Sequence, residues 1–245
     1  MQQPILLLIP DVHGRTFWKE AVSKYPKLPT IFLGDYLDPY TSLENITIND
    51  AITNFKQIIT YKNNNKENTI LLLGNHDIHY LSNEVNSSRK SITHYKEINQ
   101  LFIQNFNLFK LAYTTKTNID KNILITHAGV IKQWLQYRMP DINSEDTNEI
   151  ETALNKLTDS VEQLTDFDNN GLFDVSASRG GYDLYPSPLW ADITDHYYNE
   201  QQLPNIFQIF GHTMLKLNKP FATEHYACID CKRYFLLMDD GEINE

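Results

Sequence analysis

The sequence predicts an α/β fold with a mostly central sheet, and two observations support this prediction. Short apolar runs, bounded by glycine and polar residues, alternate with longer segments of helical spacing. Five of these runs are followed at once by carboxylate, imidazole or amide side chains. Because ligands in α/β folds gather beyond the carboxyl ends of the strands, the five polar ends should converge on one site.

The predicted elements follow one another along the whole chain. The strands are PILLLIP before DVHG, TIFL before GDYLD, NTILLL before GNHD, NILI before THAGV, and IFQIF before GHT. Apolar residues at helical spacing predict helices at Ile46–Tyr61, Ser91–Phe106 and Glu149–Leu164. The last strands are YACID and YFLLMDD, expected as an antiparallel pair. We expect a single domain over residues 1–245, with an inserted helix and long polar loop around residues 140–188.

Composition limits the classes of function. The net charge of −10 and the pI of about 5.2 argue against a nucleic-acid partner, whose affinity depends mostly on neutralised phosphates. No apolar run approaches the length of roughly 18 residues that a membrane span needs. The first residues lack the basic segment and cleavage site of a signal peptide, so we expect a cytoplasmic protein. Cys228 and Cys231 are too few for a zinc ribbon, and we expect both to be reduced.

The polar strand ends together form a set of possible metal ligands. They contain Asp11, His13, Asp35, Asp38, Asn75, His76, Asp77, His127 and His212. Any one of them alone would more often be a structural residue, but their joint occurrence favours a metal centre. Mixed oxygen and nitrogen ligands suit Mn, Fe or Zn, and the set is about right for two ions. Pairs of ions are a recurrent device of phosphoryl chemistry, and Asp35 is the natural bridging carboxylate.

The same motifs resemble a known superfamily. DVHG, GDYLD, GNHD, THAG and GH, in this order from Asp11 to His212, resemble the calcineurin-like metallophosphoesterases. GNHD and THAG are most similar to the branch that holds the PPP-type serine/threonine phosphatases and the bacterial diadenosine tetraphosphatases. The resemblance implies a central β-sandwich flanked by helices. It also implies a phosphatase that hydrolyses a phosphomonoester by attack of a metal-bridging hydroxide.

The resemblance implies a division of roles among these residues. The metal ligands would be Asp11 and His13 for the first ion, Asp35 as the bridge, and Asn75, His127 and His212 for the second. His76 would be a general acid that protonates the leaving oxygen, and Asp38 would orient it. The cofactor would be two divalent ions, with Mn favoured and Fe or Zn as alternatives. Asp77 is expected to tie down the loop backbone.

The sequence departs from the PPP-type pattern directly after Asp38. An Arg-Gly pair is expected directly after Asp38, where this chain has Pro39 and Tyr40. Arg179, in the glycine-flanked SRGG segment, is our candidate for the missing phosphate-binding arginine, with Arg15 as the weaker alternative. The last motif lacks a second histidine, as it does in PPP-type enzymes.

Several alternatives remain open at this stage. The substrate could be a small molecule, a nucleotide such as a dinucleoside polyphosphate, or a phosphoprotein, and the oligomeric state is undetermined. A non-catalytic scaffold would usually have lost ligands, and this chain retains them. Asp166–Asp174 resembles the start of a calcium-binding loop, but Ala177 stands where the bidentate Glu should be, which favours a polar turn.

Overall fold

The computed structural model describes residues 2–82, 85, 87–197, 199–216 and 219–245. The strands in this part of the chain are β1 (Pro4–Ile9), β2 (Thr30–Phe32), β3 (Thr69–Leu72), β4 (Phe109–Lys110), β5 (Ala112–Lys116), β6 (Asn122–Thr126), β7 (Ile206–Phe210), β8 (Phe221–Ala222), β9 (Tyr226–Cys228), β10 (Phe235–Met238) and β11 (Ile243–Asn244). They form a six-stranded sheet in the order β11-β10-β1-β2-β3-β4 and a five-stranded sheet in the order β5-β6-β7-β9-β8.

Parallel pairing brings the polar strand ends to one edge of each sheet. β1, β2, β3 and β4 are parallel neighbours in the first sheet. β6, β7 and β9 are parallel neighbours in the second. The carboxyl ends of β1, β2 and β3 therefore lie side by side, and so do those of β6 and β7.

The prediction that the last two long strands pair with each other is wrong. β9 is parallel to β7 in the second sheet, whereas β10 is antiparallel to β1 in the first. Ala227 of β9 and Leu237 of β10 belong to the same buried cluster between the sheets. The two strands therefore face each other across the core. Each buries apolar side chains there, and these side chains would be exposed if the two strands were paired at the edge of one sheet.

The two sheets pack face to face over an apolar core. Leu6 and Leu8 of β1 lie in this core with Ile125 and Ile209 of the second sheet. Leu7, one position out of phase, belongs to the other large cluster, which includes helix residues. This period of two follows from the alternation of side chains along a strand. Each such burial contributes about 1.5–3 kcal/mol relative to an exposed side chain.

Helices cover the outer faces of both sheets, which completes the mixed α/β sandwich that the resemblance of the motifs implied. The α-helices in the described residues are α1 (Phe17–Lys24), α2 (Thr41–Glu44), α3 (Ile48–Asn64), α4 (Asn75–Ile78), α5 (Tyr95–Gln104), α6 (Lys132–Arg138), α7 (Thr147–Lys156), α8 (Val161–Thr165) and α9 (Phe167–Asn170). Short 3-10 helices lie at Lys66–Asn68, Phe106–Leu108, Ala177–Arg179, Ile193–His196 and Asn199–Gln201. α1 and α3 contact the first sheet, and α7 contacts the second. Within the described ranges, no helix has the length and apolar character to cross a bilayer.

The three predicted helices are present with shifted bounds. The predicted Ile46–Tyr61 helix is α3, which begins after Thr47, where the Thr47 and Asp50 side chains form a reciprocal capping box. The predicted Ser91–Phe106 helix is the shorter α5. The predicted Glu149–Leu164 helix is two helices, because the Ser160 side chain accepts the Gln163 N–H and begins α8 anew.

The Asp166–Asp174 segment is a structural turn, in agreement with the polar-turn interpretation. Gly171 ends α9 in the left-handed conformation, with φ of 67°. The Asp174 carboxylate is occupied by Arg138, whose Nη2 lies 2.6 Å from Oδ1, and by the indole N–H of Trp134. A carboxylate engaged in this way holds α6 against the loop and has little capacity left for a cation.

Candidate active site

The five polar strand ends meet at one place between the two sheets. DVHG follows β1, GDYLD follows β2, GNHD follows β3, THAG extends from the end of β6, and GH follows β7. The ligand atoms of Asp11, Asp35 and His127 all lie within 4.8 Å of one another, and all three residues are buried. Side chains far apart in the sequence are thus brought together because parallel strands end at a common edge.

Four of the site residues adopt a backbone conformation that non-glycine residues rarely use. The φ angles are 44° at His13, 52° at Asp35, 56° at Asp38 and 63° at His212. The left-handed conformation costs roughly 1–2 kcal/mol per residue, and Asp and His tolerate it better than bulkier side chains do. Such strain is typical of sites where the surrounding structure holds functional groups in place.

Two glycines leave room for the carboxylates at the centre. A Cβ on Gly74 would overlap Oδ1 of Asp35, and a Cβ on Gly211 would overlap Oδ1 of Asp11. Glycine at both positions therefore lets the backbone pass close to the site without a clash.

Hydrogen bonds fix the form of His13 and leave one of its nitrogens facing a carboxylate. Its Nδ1 lies 2.7 Å from the carbonyl oxygen of Leu37, which can only accept, so Nδ1 carries the proton. Burial lowers the pKa of His13 to about 3, so the ring is neutral and Nε2 is a bare lone pair. Nε2 lies 3.5 Å from Asp35 Oδ2. Two electron-rich atoms at this distance need a cation between or beside them.

A second group of electron-rich atoms lies on the other side of Asp35. His127 Nδ1 donates to the carbonyl oxygen of Leu33 at 2.8 Å, so Nε2 is the nitrogen that faces the cluster. That Nε2 lies 3.1 Å from Asn75 Oδ1 and 3.2 Å from His212 Nδ1. Burial lowers the pKa of His212 well below its usual value, so the His212 ring is neutral. Three atoms that can each bind a metal ion therefore face one another, and a cation would satisfy them all.

Asp35 faces both groups with one oxygen each. Oδ2 lies 3.5 Å from His13 Nε2, and Oδ1 lies 3.6 Å from His127 Nε2. Burial alone would raise the pKa of Asp35, but the surrounding histidines bring it below its usual value, so the carboxylate is ionised. The oxygen and imidazole side chains around Asp35 therefore form a buried cluster that fits divalent cations, and Asp35 lies between its two groups.

A hydrogen-bond network orients His76 at the edge of this cluster. Its Nδ1 lies 2.8 Å from Asp38 Oδ2, and the His76 and His13 rings meet edge to face at 5.2 Å. His79 Nε2 lies 2.8 Å from the same Asp38 oxygen, and the Tyr80 hydroxyl donates to the other. Burial raises the pKa of Asp38, but its contacts with His76 and His79 lower it below the usual value.

The Asp38, His76 and His79 side chains form the second group that could hold a metal ion. The Asp38 contacts leave this carboxylate well supplied with donors, so the group fits an orienting network better than a third metal site. Sequence reasoning gave His79 and Tyr80 no role. Their spacing from His76 along the short α4 and the turn after it was the available signal.

Asp77 anchors the site backbone, as predicted. Its carboxylate accepts from the N–H groups of Asp35 at 2.8 Å, Tyr36 at 3.1 Å and Gly74 at 2.8 Å. The strand ends of β2 and β3 are tied together in this way.

The structure separates the two arginines that the sequence singled out. Arg15 is not among the residues that line the cleft: its Nε and Nη2 donate to the Glu44 carboxylate at 2.7 and 3.0 Å, and its Nη1 donates to the main-chain carbonyl oxygen of Asp11 at 3.2 Å. Arg179 lines the cleft beside His212, but its Nη2 lies 2.9 Å from Asp192 Oδ2 and 2.7 Å from Thr213 Oγ1. Arg179 is therefore near the site with its charge compensated, and its role in phosphate binding stays a prediction.

Sequence reasoning missed Arg89 and Asp230. Arg89 lines the cleft and lies beside His76, although no motif includes it. Asp230, in the segment noted only for its cysteines, is buried, and burial together with Asp11 raises its pKa well above the usual value. The nearby Cys228 and Cys231 are free and buried, and burial raises the pKa of Cys231 to about 12. Thiols with raised pKa values are poor metal ligands.

An open cleft of about 640 Å³ leads to the cluster. One wall carries His13, Tyr40, His76 and Arg89, and the other carries residues 179–183, Trp190 and His212. Tyr182 at the rim is fully exposed. The cleft is polar where it meets the metal-ligand cluster and aromatic further out, so it could hold a phosphate at its base and a larger organic group above it.

Comparison of the sequence with known protein families identifies the family of the chain. The family described as calcineurin-like phosphoesterase matches residues 6–216. The chain therefore belongs to the calcineurin-like phosphoesterases, a metal-binding family of hydrolases, in agreement with the resemblance of its motifs. No curated protein matches the sequence well enough to count as a relative.

Solved structures share the fold at low sequence identity. A cold-active protein-tyrosine phosphatase of the psychrophile Shewanella sp. matches with a TM-score of 0.61 and 13% identity, over 98% of this chain and 79% of that chain. A further structure of a cold-active protein tyrosine phosphatase matches with a TM-score of 0.59 and 14% identity, over 98% of this chain and 77% of that chain. At these identities the likeness supports the architecture and leaves the substrate open.

Proposed function

We propose that this chain is a phosphatase that hydrolyses phosphomonoesters with the help of two divalent cations. The observation that carries the proposal is the placement of His76. Its Nδ1 is held by Asp38 at 2.8 Å, and its ring lies in the cleft wall next to the metal-ligand cluster. An imidazole oriented by a carboxylate beside a cation site is suited to protonate a departing alkoxide or phenoxide.

The residues that would hold the cations are those of the buried cluster. Asp35 faces His13 on one side and the group of Asn75, His127 and His212 on the other. Asp11 lies close to Asp35 and His127, and by the resemblance it would join His13 in holding the first ion. Two bound cations of this kind supply an activated water near neutral pH and offset the charge of the phosphoryl oxygens. Mn is our expected metal, with Fe and Zn as alternatives, because oxygen and imidazole ligands suit all three.

The chain itself would supply the proton and the orientation. With Nδ1–H donated to Asp38, His76 can carry a second proton only at Nε2, the nitrogen that faces the cleft. Asp38 stabilises the imidazolium that this requires. Arg179 on the opposite wall is kept as a candidate for binding the phosphate.

A nucleotide or dinucleoside polyphosphate is the second candidate substrate. Tyr182 at the rim is fully exposed and offers a flat surface on which a base could stack. The resemblance of GNHD and THAG to the PPP-type and diadenosine tetraphosphatase branch favours the same pair of candidates. A phosphoprotein belongs in any substrate panel too, since the Shewanella enzyme that shares this fold is a protein-tyrosine phosphatase.

Metal removal and reconstitution test the proposal. The purified protein is stripped with a chelator, reloaded with Mn, Fe or Zn, and assayed on phosphomonoesters, a phosphodiester, a dinucleoside tetraphosphate and a phosphopeptide. We expect turnover of monoesters only after reloading, at a stoichiometry of about two ions per chain. Preference for the dinucleotide would favour the second candidate. A metal-loaded protein without turnover on any of them would favour a scaffold.

A further inference from the structure

Arg89 is held over the cleft by three contacts. Its Nε donates to the main-chain carbonyl oxygen of Asp38 at 3.0 Å. Its guanidinium carbon lies 3.8 Å from the centre of the Tyr40 ring. Its Nη2 lies 3.3 Å from His76 Nε2. The residue is exposed, yet these contacts direct its donors toward the base of the cleft.

Arg89 differs from the other arginines in its charge environment. Across the described ranges, each of the other four lies within 4.0 Å of a carboxylate oxygen, whereas Arg89 forms no such pair. Arg89 is also in the left-handed conformation, with φ of 64°. A strained backbone directs this guanidinium into a cleft where no carboxylate among the described residues pairs with it, which indicates an anionic ligand at that place.

The contact between Arg89 and His76 identifies where the anion would lie. Arg89 Nη2 and His76 Nε2 face the same gap, 3.3 Å apart, and both residues line the cleft that leads to the metal-ligand cluster. An oxyanion in this gap can accept from the guanidinium N–H groups while it lies beside the His76 ring.

We propose that Arg89 binds the terminal phosphoryl group of the substrate and makes the site selective for monoesters over diesters. The inference rests on the proposed function for the chemistry of the substrate. A phosphomonoester carries about one more negative charge than a diester near pH 7, and has three terminal oxygens instead of two. The planar fork of a guanidinium suits such a group, since it donates to two oxygens at once.

Arg179 is less suited to this role. Asp192 offsets the charge of Arg179, since its Oδ2 lies 2.9 Å from Arg179 Nη2. The same Nη2 donates to Thr213 Oγ1 at 2.7 Å. Arg89 therefore stands in for the arginine that is absent after Asp38 in the sequence, and it reaches the site from a different loop. Arg179 builds the opposite wall of the cleft.

Kinetics on a matched pair of substrates tests the inference. The metal-loaded wild type, Arg89→Ala, Arg89→Lys and Arg179→Ala are compared on para-nitrophenyl phosphate and bis-para-nitrophenyl phosphate. For Arg89→Ala we expect kcat/KM to fall roughly ten- to a hundredfold on the monoester and much less on the diester. Arg89→Lys should recover only part, since an ammonium cannot form the fork. Arg233→Ala, which removes a surface arginine paired with Glu245, is the control for loss of charge.

Binding of inorganic phosphate provides a second readout that does not depend on turnover. Calorimetry on metal-loaded protein should show at least tenfold weaker phosphate binding for Arg89→Ala, with unchanged metal content and unchanged binding for Arg233→Ala. Wild-type protein that binds phosphate through Arg89 without hydrolysing monoesters would overturn the proposed function and leave this inference standing. An active wild type with Arg89→Ala equal to it in phosphate affinity and in monoester-to-diester ratio would overturn the inference. If Arg89→Ala is unstable, the monoester-to-diester ratio and the phosphate affinity of Arg89→Lys provide the same test.

Discussion

Asp35 is the residue on which both halves of the cluster depend. It faces His13 with one oxygen at 3.5 Å and His127 with the other at 3.6 Å. Asp35→Asn replaces one of these oxygens by an amide nitrogen, which cannot bind a cation. We expect elemental analysis to show that the occupancy of both ions falls, because one bridging ligand serves both. The exposed Asp141→Asn is the control. Two fully occupied ions in Asp35→Asn would show that the bridge lies elsewhere.

His76 supports a different prediction, since it lies beside the cluster and is not expected to be a ligand. His76→Ala should keep its metals but lose about 10²–10⁴-fold in kcat on alkyl phosphates, the usual contribution of a general acid. Aryl phosphates with acidic leaving groups need little protonation and should lose much less. Asp38→Asn should give a milder version of the same profile, because it removes the charge that supports the imidazolium. The measurement is a plot of log kcat against leaving-group pKa, and a slope unchanged from wild type would argue against the acid role.

For individual residues, the sequence predicted the metal-ligand cluster but not the side chains that surround it. The metal-ligand candidates are recognisable because each follows an apolar run directly in the chain. Arg89 has no such signal, since its place beside His76 depends on the path of a loop and on the Tyr40 ring beneath it. The ion pair of Arg179 with Asp192 also has no signal in the sequence, because the two residues meet only in the folded chain.

The turn between β3 and α4 is the element that places Asn75, His76 and Asp77 together. Gly74 begins it, and a side chain there would overlap Asp35 Oδ1 and approach His127. Gly74→Ala should therefore lower both the metal affinity and the thermal midpoint of unfolding. Gly241→Ala is the matched control: it places alanine at a φ of 89°, at a tight turn whose nearest neighbours are Lys121 and Thr117. We expect it to cost about 1 kcal/mol of stability with metal affinity unchanged. Equal metal affinities in Gly74→Ala and wild type would contradict the steric argument.

The elements themselves were more predictable than their pairing. The apolar runs gave the strands because every one of them is buried on both faces or nearly so. β9 and β10 were misassigned as partners because adjacent strands usually pair, and nothing local shows that each is needed in a different sheet. The break between α7 and α8 follows from one serine that competes as an N-cap, a choice that apolar spacing does not reveal.

The whole molecule is a sandwich that holds its site at the strand ends of both sheets. β1, β2 and β3 supply one part of the cluster, and β6 and β7 supply the other. The core between the sheets, with Leu8 and Ile209, must therefore keep the two halves in register for the ligands to meet. This arrangement was not derivable from alternation alone, which predicted one central sheet; the sandwich came from the resemblance of the motifs.

His196 links the pH dependence of stability to this packing. The ring is buried against Phe210, with centroids 4.6 Å apart, and Nε2 donates to the Ala128 carbonyl at 3.0 Å. Burial lowers the pKa of His196 from 6.5 to about 4. The unfolded chain therefore binds more protons than the folded protein between these values. The free energy of unfolding should fall as the pH drops through this window, by about 3 kcal/mol at its lower end, and should be unaffected above it.

Denaturant unfolding of wild type and His196→Gln at matched pH values, both metal-loaded, tests this contribution. Glutamine has no titratable group, so the variant should lose less stability than wild type between about pH 6.5 and pH 4. This expectation holds whatever the stability of the variant at neutral pH. The difference between the two curves isolates His196 from the metal ligands, since both proteins release their metals over the same range. The half-buried His94→Gln, which lies just before α5, should leave the wild-type slope unchanged. Parallel curves for wild type and His196→Gln would show that the buried ring takes up its proton without cost to the fold.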